Sequence, residues 1–136
     1  MKATLDHIGI AVADVDASLS FFRDALGLDV DPPEDVAGQR VRVTFLPAGQ
    51  SSVELLEPTA DDSPVGRFLA KHGAGMHHVA FRVDDIRAAL AELKARGVRL
   101  IDEAPREGAH GALVAFIHPS ATHGVLVELK QAHAGR

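Results

Sequence analysis

No cysteine occurs anywhere in the 136 residues, so disulfide staples and thiolate-held metals are excluded, and any bound metal must be held by nitrogen and oxygen. Tryptophan and tyrosine are absent too, and 14 basic residues stand against 19 acidic ones for a formal charge of -5. Nucleic-acid binding calls for a basic surface set with aromatic side chains, so no nucleic-acid partner is expected. No apolar run approaches the length of a membrane span. No charged-then-apolar leader precedes the first strand pattern, which reads as a cytoplasmic protein with no membrane partner. What is present is ordinary for a soluble domain: 46% hydrophobic and 24% charged residues in a chain of single-domain length.

The chain states one phrase twice. Leu5-Asp6-His7-Ile8-Gly9-Ile10-Ala11-Val12-Ala13-Asp14-Val15 is answered by Met76-His77-His78-Val79-Ala80-Phe81-Arg82-Val83-Asp84-Asp85-Ile86, with His7, Val12 and Asp14 matching His78, Val83 and Asp85. Further on, Gly27 is answered by Gly97, and Val53-Glu54-Leu55 by Val127-Glu128-Leu129. Self-similarity of this kind marks a duplicated structural unit.

Read in order, residues 4–12 alternate as a strand, with Ile8, Ile10 and Val12 opposite His7, Gly9 and Ala11. Asp14 is placed to cap a helix whose buried stripe is Val15, Leu19, Phe22 and Leu26, closed by Gly27. Residues 41–45 and 51–57 read as a hairpin turned at Pro47-Ala48-Gly49. Residues 59–76 form a connector, with Pro64 in the first turn of a short helix. The second half repeats the plan: a strand at 77–83, a cap at Asp84 or Asp85, a helix on Ile86, Leu90 and Leu93 ended by Gly97, then strands at 98–101, 113–117 and 124–130, with a loop at 107–111. The expected fold is α+β: two tandem βαβββ modules, 4–58 and 77–131, in one domain. They are expected to form a half-open, cupped mixed sheet with helices on the outer face.

The repeat gives equivalent places to His7 and His78 and to Glu54 and Glu128, each out of phase with the strongly apolar face of its strand. Alone, each would be an ordinary strand residue. Together they form a mixed nitrogen/oxygen set that suits one divalent ion, Co, Mn, Ni or Zn, with positions left for a chelating substrate. His77 is the rival of His78, and parity with His7 favours His78. His72, His110, His118, His123 and His133 have no repeat partners.

Asp6-His7-Ile8-Gly9-Ile10-Ala11-Val12, Val53-Glu54-Leu55-Leu56-Glu57-Pro58, Gly75-Met76-His77-His78-Val79-Ala80-Phe81, Gly108-Ala109-His110-Gly111, Phe116-Ile117-His118-Pro119 and Gly124-Val125-Leu126-Val127-Glu128-Leu129 together resemble the methylmalonyl-CoA epimerases of the vicinal oxygen chelate superfamily. The resemblance implies His7, Glu54, His78 and Glu128 as metal ligands, cobalt as the favoured ion and an acyl-CoA substrate. The implied reaction interconverts (2R)- and (2S)-methylmalonyl-CoA through a metal-stabilised enolate, with Glu54 and Glu128 as the proton-transfer groups. It also points to His110, Gly111 and His118 as substrate-binding residues and to a homodimer. Some members carry a glutamate, proposed as a base, in the strand where this chain has Arg42-Val43-Thr44, so that assignment cannot be copied. The alternatives are a glyoxalase I-type lactoylglutathione lyase and a non-enzymatic small-molecule-binding protein of the same fold.

Overall fold

The computed structural model describes residues 1–132; His133 lies outside them. The chain divides into two compact units, one spanning His7–His77 and the other combining Met1–Asp6 with the residues from His78 onward. No helix among the described residues is long and apolar enough to cross a membrane.

In the first unit, β1 (Thr4–Ala11) leads to α1 (Val15–Leu19), then β2 (Glu34–Val36), β3 (Val41–Ala48), β4 (Ser51–Pro58) and α2 (Pro64–His72). The strands are ordered β2-β3-β4-β1, with β1 parallel to β4 and the other pairs antiparallel. Gly49, at φ 78°, supplies the left-handed residue that the tight β3–β4 turn requires. Asp14 caps α1 by accepting the Ala17 N–H. One face of the sheet is closed by Val12, Leu19, Leu46 and Leu55, with Ile10, Val15, Phe22, Leu28, Val30 and Val53 packed around them. Full burial of such a side chain contributes about 1.5–3 kcal/mol.

The helix expected over residues 15–26 departs from regularity. After Leu19 it widens into a π-helical turn, Ser20–Ala25, with the Leu26 N–H reaching back five residues to the Phe21 carbonyl. The added residue per turn rotates the side chains beyond it about the helix axis. Leu26, expected on the buried stripe, is therefore 57% exposed, and Leu28 and Val30 take its place in the core. Gly27 closes the helix at φ 78°, as expected.

In the second unit, β5 (Gly75–Arg82, which begins at the end of the first unit) is followed by α3 (Ile86–Ala95), β6 (Arg106–Glu107), β7 (Leu113–Ile117) and β8 (Val127–Gln131). The order is β5-β8-β7-β6, again one parallel pair and two antiparallel ones. Asp85, not Asp84, caps α3 through the Ala88 N–H. Ile86, Ala89 and Leu90 of α3 bury against Val83, Ala115, Ile117 and Leu129. At the other end of the chain, Asp6 is 8% exposed and pairs with Arg82 at 2.8 Å and Lys130 at 3.1 Å, while the terminal amine meets Glu92 at 3.3 Å.

Both units are thus βαβββ. Three expectations need correction. Residues 98–101 form no strand; only Leu100 makes an isolated bridge to Ile117. The strand of that place is β6, where the loop at 107–111 was expected to begin, and it ends in a 3-10 turn at Ala109–Gly111. The last strand starts at Val127 instead of Gly124, because Gly124 at φ 106° ends the turn after Pro119.

Candidate metal and substrate site

The two parallel ladders have the same register. Gly9 of β1 stands beside Glu54 of β4, and Ala80 of β5 stands beside Glu128 of β8. Each glutamate is therefore one diagonal step from the histidine two residues earlier on its neighbour. The steps close: His7 Nδ1 lies 3.1 Å from Glu54 Oε2, and His78 Nε2 lies 2.9 Å from Glu128 Oε1. All four residues are more than nine-tenths buried. The residues beside the two glutamates, Gly9 and Ala80, are small and buried.

This phase sets both pairs on the faces their helices do not cover. Leu55 and Val53, out of step with Glu54, pack toward α1, and Leu129 and Val127, out of step with Glu128, pack toward α3. Burying an imidazole and a carboxylate is costly unless each is paired or holds a metal. The chain therefore carries buried imidazole–carboxylate groups of the kind that hold a metal ion, drawn from His7, Glu54, His78 and Glu128.

His77 is on the other side of β5. Its ring meets Phe68 of α2 edge-on, with centroids 5.1 Å apart, and His72 lies 4.9 Å from the same Phe68. The His78 ring instead meets Phe116 edge-on at 5.8 Å. His118, expected at the substrate, starts a 3-10 turn (Pro119–Ala121): its Nδ1 accepts the Ser120 N–H at 3.0 Å and lies 2.8 Å from Ser120 Oγ. His110 and Gly111 form the left-handed turn between β6 and β7, at φ 58° and 70°.

Strand β3 shows Val41, Val43 and Phe45 on the Glu54 face, since Phe45 pairs with Glu54 and Val43 with Leu56. No carboxylate of β3 faces the pair, and Arg42 points away to Asp35, with Nε 2.8 Å from Oδ1. That contact holds the Asp35 carboxyl below its usual range.

Two charged residues on these faces escaped sequence reasoning. Glu34 of β2 pairs with Val43, and Arg106 of β6 pairs with Val114, so each stands on its unit's histidine–glutamate face. Their strands have three and two residues, too few for alternation to show. The repeat did not mark them either, since the offset that matches His7 with His78 carries Glu34 to Pro105.

Residues 6–116 match the Glyoxalase/Bleomycin resistance protein/Dioxygenase superfamily. Over 129 residues the chain is 43% identical to the mitochondrial methylmalonyl-CoA epimerase of Bos taurus, covering 94% of this chain and 74% of that one. It is 41% identical over 133 residues to the ethylmalonyl-CoA/methylmalonyl-CoA epimerase of Cereibacter sphaeroides, covering 96% and 99%. Among solved structures, a variant of the Streptomyces coelicolor methylmalonyl-CoA epimerase in complex with 2-nitronate-propionyl-CoA superposes with a TM-score of 0.93 at 41% identity, over 98% of this chain and 97% of that one.

Proposed function

The chain belongs to the methylmalonyl-CoA epimerase family of the glyoxalase/bleomycin resistance/dioxygenase superfamily, and from that premise we propose that it is an isomerase interconverting (2R)- and (2S)-methylmalonyl-CoA. The observation that carries the reading is the paired register: one buried histidine–glutamate contact in each unit, built by the same ladder step. His7, Glu54, His78 and Glu128 would together hold one divalent ion per chain, with cobalt favoured, and two carboxylates would balance its charge. Bound there, such an ion supplies Lewis-acid stabilisation of the negative charge that develops on oxygen beside C2.

The chain's own part is proton transfer. One carboxylate takes the C2 proton, and the other returns a proton to the opposite face, inverting the centre. Glu54 and Glu128 are the candidates, because β3 offers no carboxylate on the Glu54 face. The buried apolar neighbours Val43 and Phe45 in one unit and Val114 and Phe116 in the other keep water from the reacting carbon. His110, Gly111 and His118 are proposed at the substrate's edge, and a cytoplasmic homodimer completes the reading.

The test is epimerisation of methylmalonyl-CoA by chelator-treated protein and by the same protein reloaded with cobalt or manganese. The reading expects activity lost and regained, with about one ion per chain. Full activity after chelation removes the metal from the reading. No activity on methylmalonyl-CoA, with turnover of a glutathione hemithioacetal, turns it to the lactoylglutathione lyase alternative. Glu54→Gln and Glu128→Gln should each abolish epimerisation while solvent exchange at C2 survives for one enantiomer, opposite in the two variants. Parental epimerisation by a metal-loaded Glu54→Gln protein would leave Glu54 as a ligand only.

A further inference from the structure

The ladder step that sets each histidine near its glutamate is the same in both units, but the units differ around it: Ala11 beside Leu56 in one stands where Arg82 beside Lys130 stands in the other. Glu54 pairs with Phe45, and Glu128 pairs with Phe116; two residues along, Val43 and Val114 are equivalent. The next strand out then places Glu34 beside Val43 and Arg106 beside Val114. At this position of the outer strands the two units carry opposite signs.

Arg106 is tied to the His78–Glu128 pair by a stack. Its guanidinium carbon lies over the Phe116 ring, 5.4 Å from the centroid, and the same ring meets His78 edge-on at 5.8 Å. Among the described residues its one ionic neighbour is Asp102, with Nε 3.6 Å from Oδ2, beyond good hydrogen-bond length. Asp102 is occupied otherwise, accepting the Phe116 N–H at 2.8 Å. The Arg106 side chain is 44% exposed. A planar cation fixed on an aromatic face, with its fork of donors open to solvent, is suited to bidentate capture of a carboxylate or phosphate.

From this geometry we infer that Arg106 is a substrate-binding residue that captures an anionic group of the acyl-CoA. The inference rests on the epimerase reading. An anionic substrate is drawn to Arg106 by its charge and by the guanidinium fork. The captured group is either the free carboxylate of the acyl part or a phosphate of the CoA part.

The experiment compares parent, Arg106→Gln, Arg106→Lys and Glu34→Gln with methylmalonyl-CoA and with methylmalonyl-pantetheine, which lacks the nucleotide phosphates. Arg106→Gln should raise KM for methylmalonyl-CoA at least tenfold and abolish most of the parent's rise of KM with salt. Its cobalt affinity should stay parental, which a general disturbance of the site would not allow. Arg106→Lys should recover only part of the loss, since a point charge lacks the fork. Glu34→Gln should not weaken substrate binding. If the KM penalty persists with methylmalonyl-pantetheine, the captured group is the acyl carboxylate; if it vanishes there, the group is a CoA phosphate. Binding of methylmalonyl-CoA to the metal-free parent and Arg106→Gln proteins by calorimetry supplies a readout independent of turnover, with at least tenfold weaker binding expected for the variant. A parental KM and parental metal-free affinity in Arg106→Gln overturn the inference while leaving the epimerase reading intact. A parent that neither binds nor turns over methylmalonyl-CoA fails the underlying reading instead.

Discussion

The adjacent histidines of β5 offer a sharp test, because they point to opposite faces and their loss should be felt in different measurements. His77→Ala removes an edge-on ring contact with Phe68 at 5.1 Å, worth about 0.5–1.5 kcal/mol beyond area burial. His78→Ala removes a nitrogen 2.9 Å from a buried carboxylate, a hydrogen bond to a charged group worth about 1.5–3 kcal/mol. The two stability losses overlap, so denaturation of the metal-free variants does not separate them. Metal linkage does. Loss of an outer partner of a ligand weakens metal binding about 10–100-fold, and loss of a ligand should cost at least the upper figure. At free metal 100 times the parent's dissociation constant, the ion stabilises the fold by about 2.7 kcal/mol. If the constant is 100-fold weaker, the same metal concentration only half-saturates the site and yields about 0.4 kcal/mol. Urea unfolding of parent, His77→Ala and His78→Ala with and without cobalt should therefore show a shift of about 2.7 kcal/mol in the first two and a near-absent one in the third. A full cobalt shift in His78→Ala, or its loss in His77→Ala, refutes the assignment of faces on β5.

Gly66→Ala should lower the melting temperature by several degrees: the added Cβ would lie 2.4 Å from the Asp61 carbonyl oxygen and 2.8 Å from that of Ala60, an overpacking cost of about 1–3 kcal/mol that exceeds the ~1 kcal/mol gain in helix propensity. An unchanged or raised melting temperature would show that the α2 entry can shift freely. The Lys94 ammonium, 2.5 Å from Glu103, holds that carboxyl below its usual range by hydrogen bonding and charge. This exposed pair's small contribution is present above the unfolded carboxylate's pKa of about 4.3 and is lost as pH falls through the lower folded value. Thermal melts of parent and Glu103→Gln should thus differ slightly at neutral pH and converge below about pH 4, and a difference that grows toward acid would contradict the sign.

How much of this could be read from sequence depended on whether two faces of an element differ in chemistry. Strands β1, β3 and β4 alternate apolar residues with small or polar ones and β7 is a short apolar run, and their observed bounds lie within three residues of those expected. The histidine–glutamate pairs were legible for another reason: the offset repeat makes four residues, each ordinary alone, into one equivalent set, and the ladder register then agrees in both units. Strands β2 and β6 were invisible, because three and two residues acquire strand character only from the neighbour they pair with. The π-helical turn was invisible as well. Val15, Leu19, Phe22 and Leu26 satisfy a helical stripe on paper, and only the packed core shows Leu28, past Gly27, buried in place of Leu26.

The pattern of what the two units share and where they differ has a chemical logic under the epimerase reading. An epimerase must give both enantiomers a comparable setting at the carbon that inverts, since the same centre loses and regains a proton on either face. It must also hold the ends of the substrate in one way, or the carbon would not return to the same place. Duplication supplies the first demand without further design: His7 and His78, Glu54 and Glu128, and Phe45 and Phe116 stand at matched ladder positions. It cannot supply the second, because a strictly repeated frame offers the two ends of the substrate identical surroundings. Orientation therefore has to come from residues where the repeat is broken. Arg106 is such a break, one strand beyond Val114 where the first unit has Glu34, and Lys130 in the place of Leu56 is another. A guanidinium about 4 Å from an anionic group attracts it by about 1 kcal/mol in water, and by about 4 kcal/mol in the less polar surroundings of a protein surface. Against the 1.4 kcal/mol that makes a factor of ten, the larger value covers the at least tenfold loss expected of Arg106→Gln.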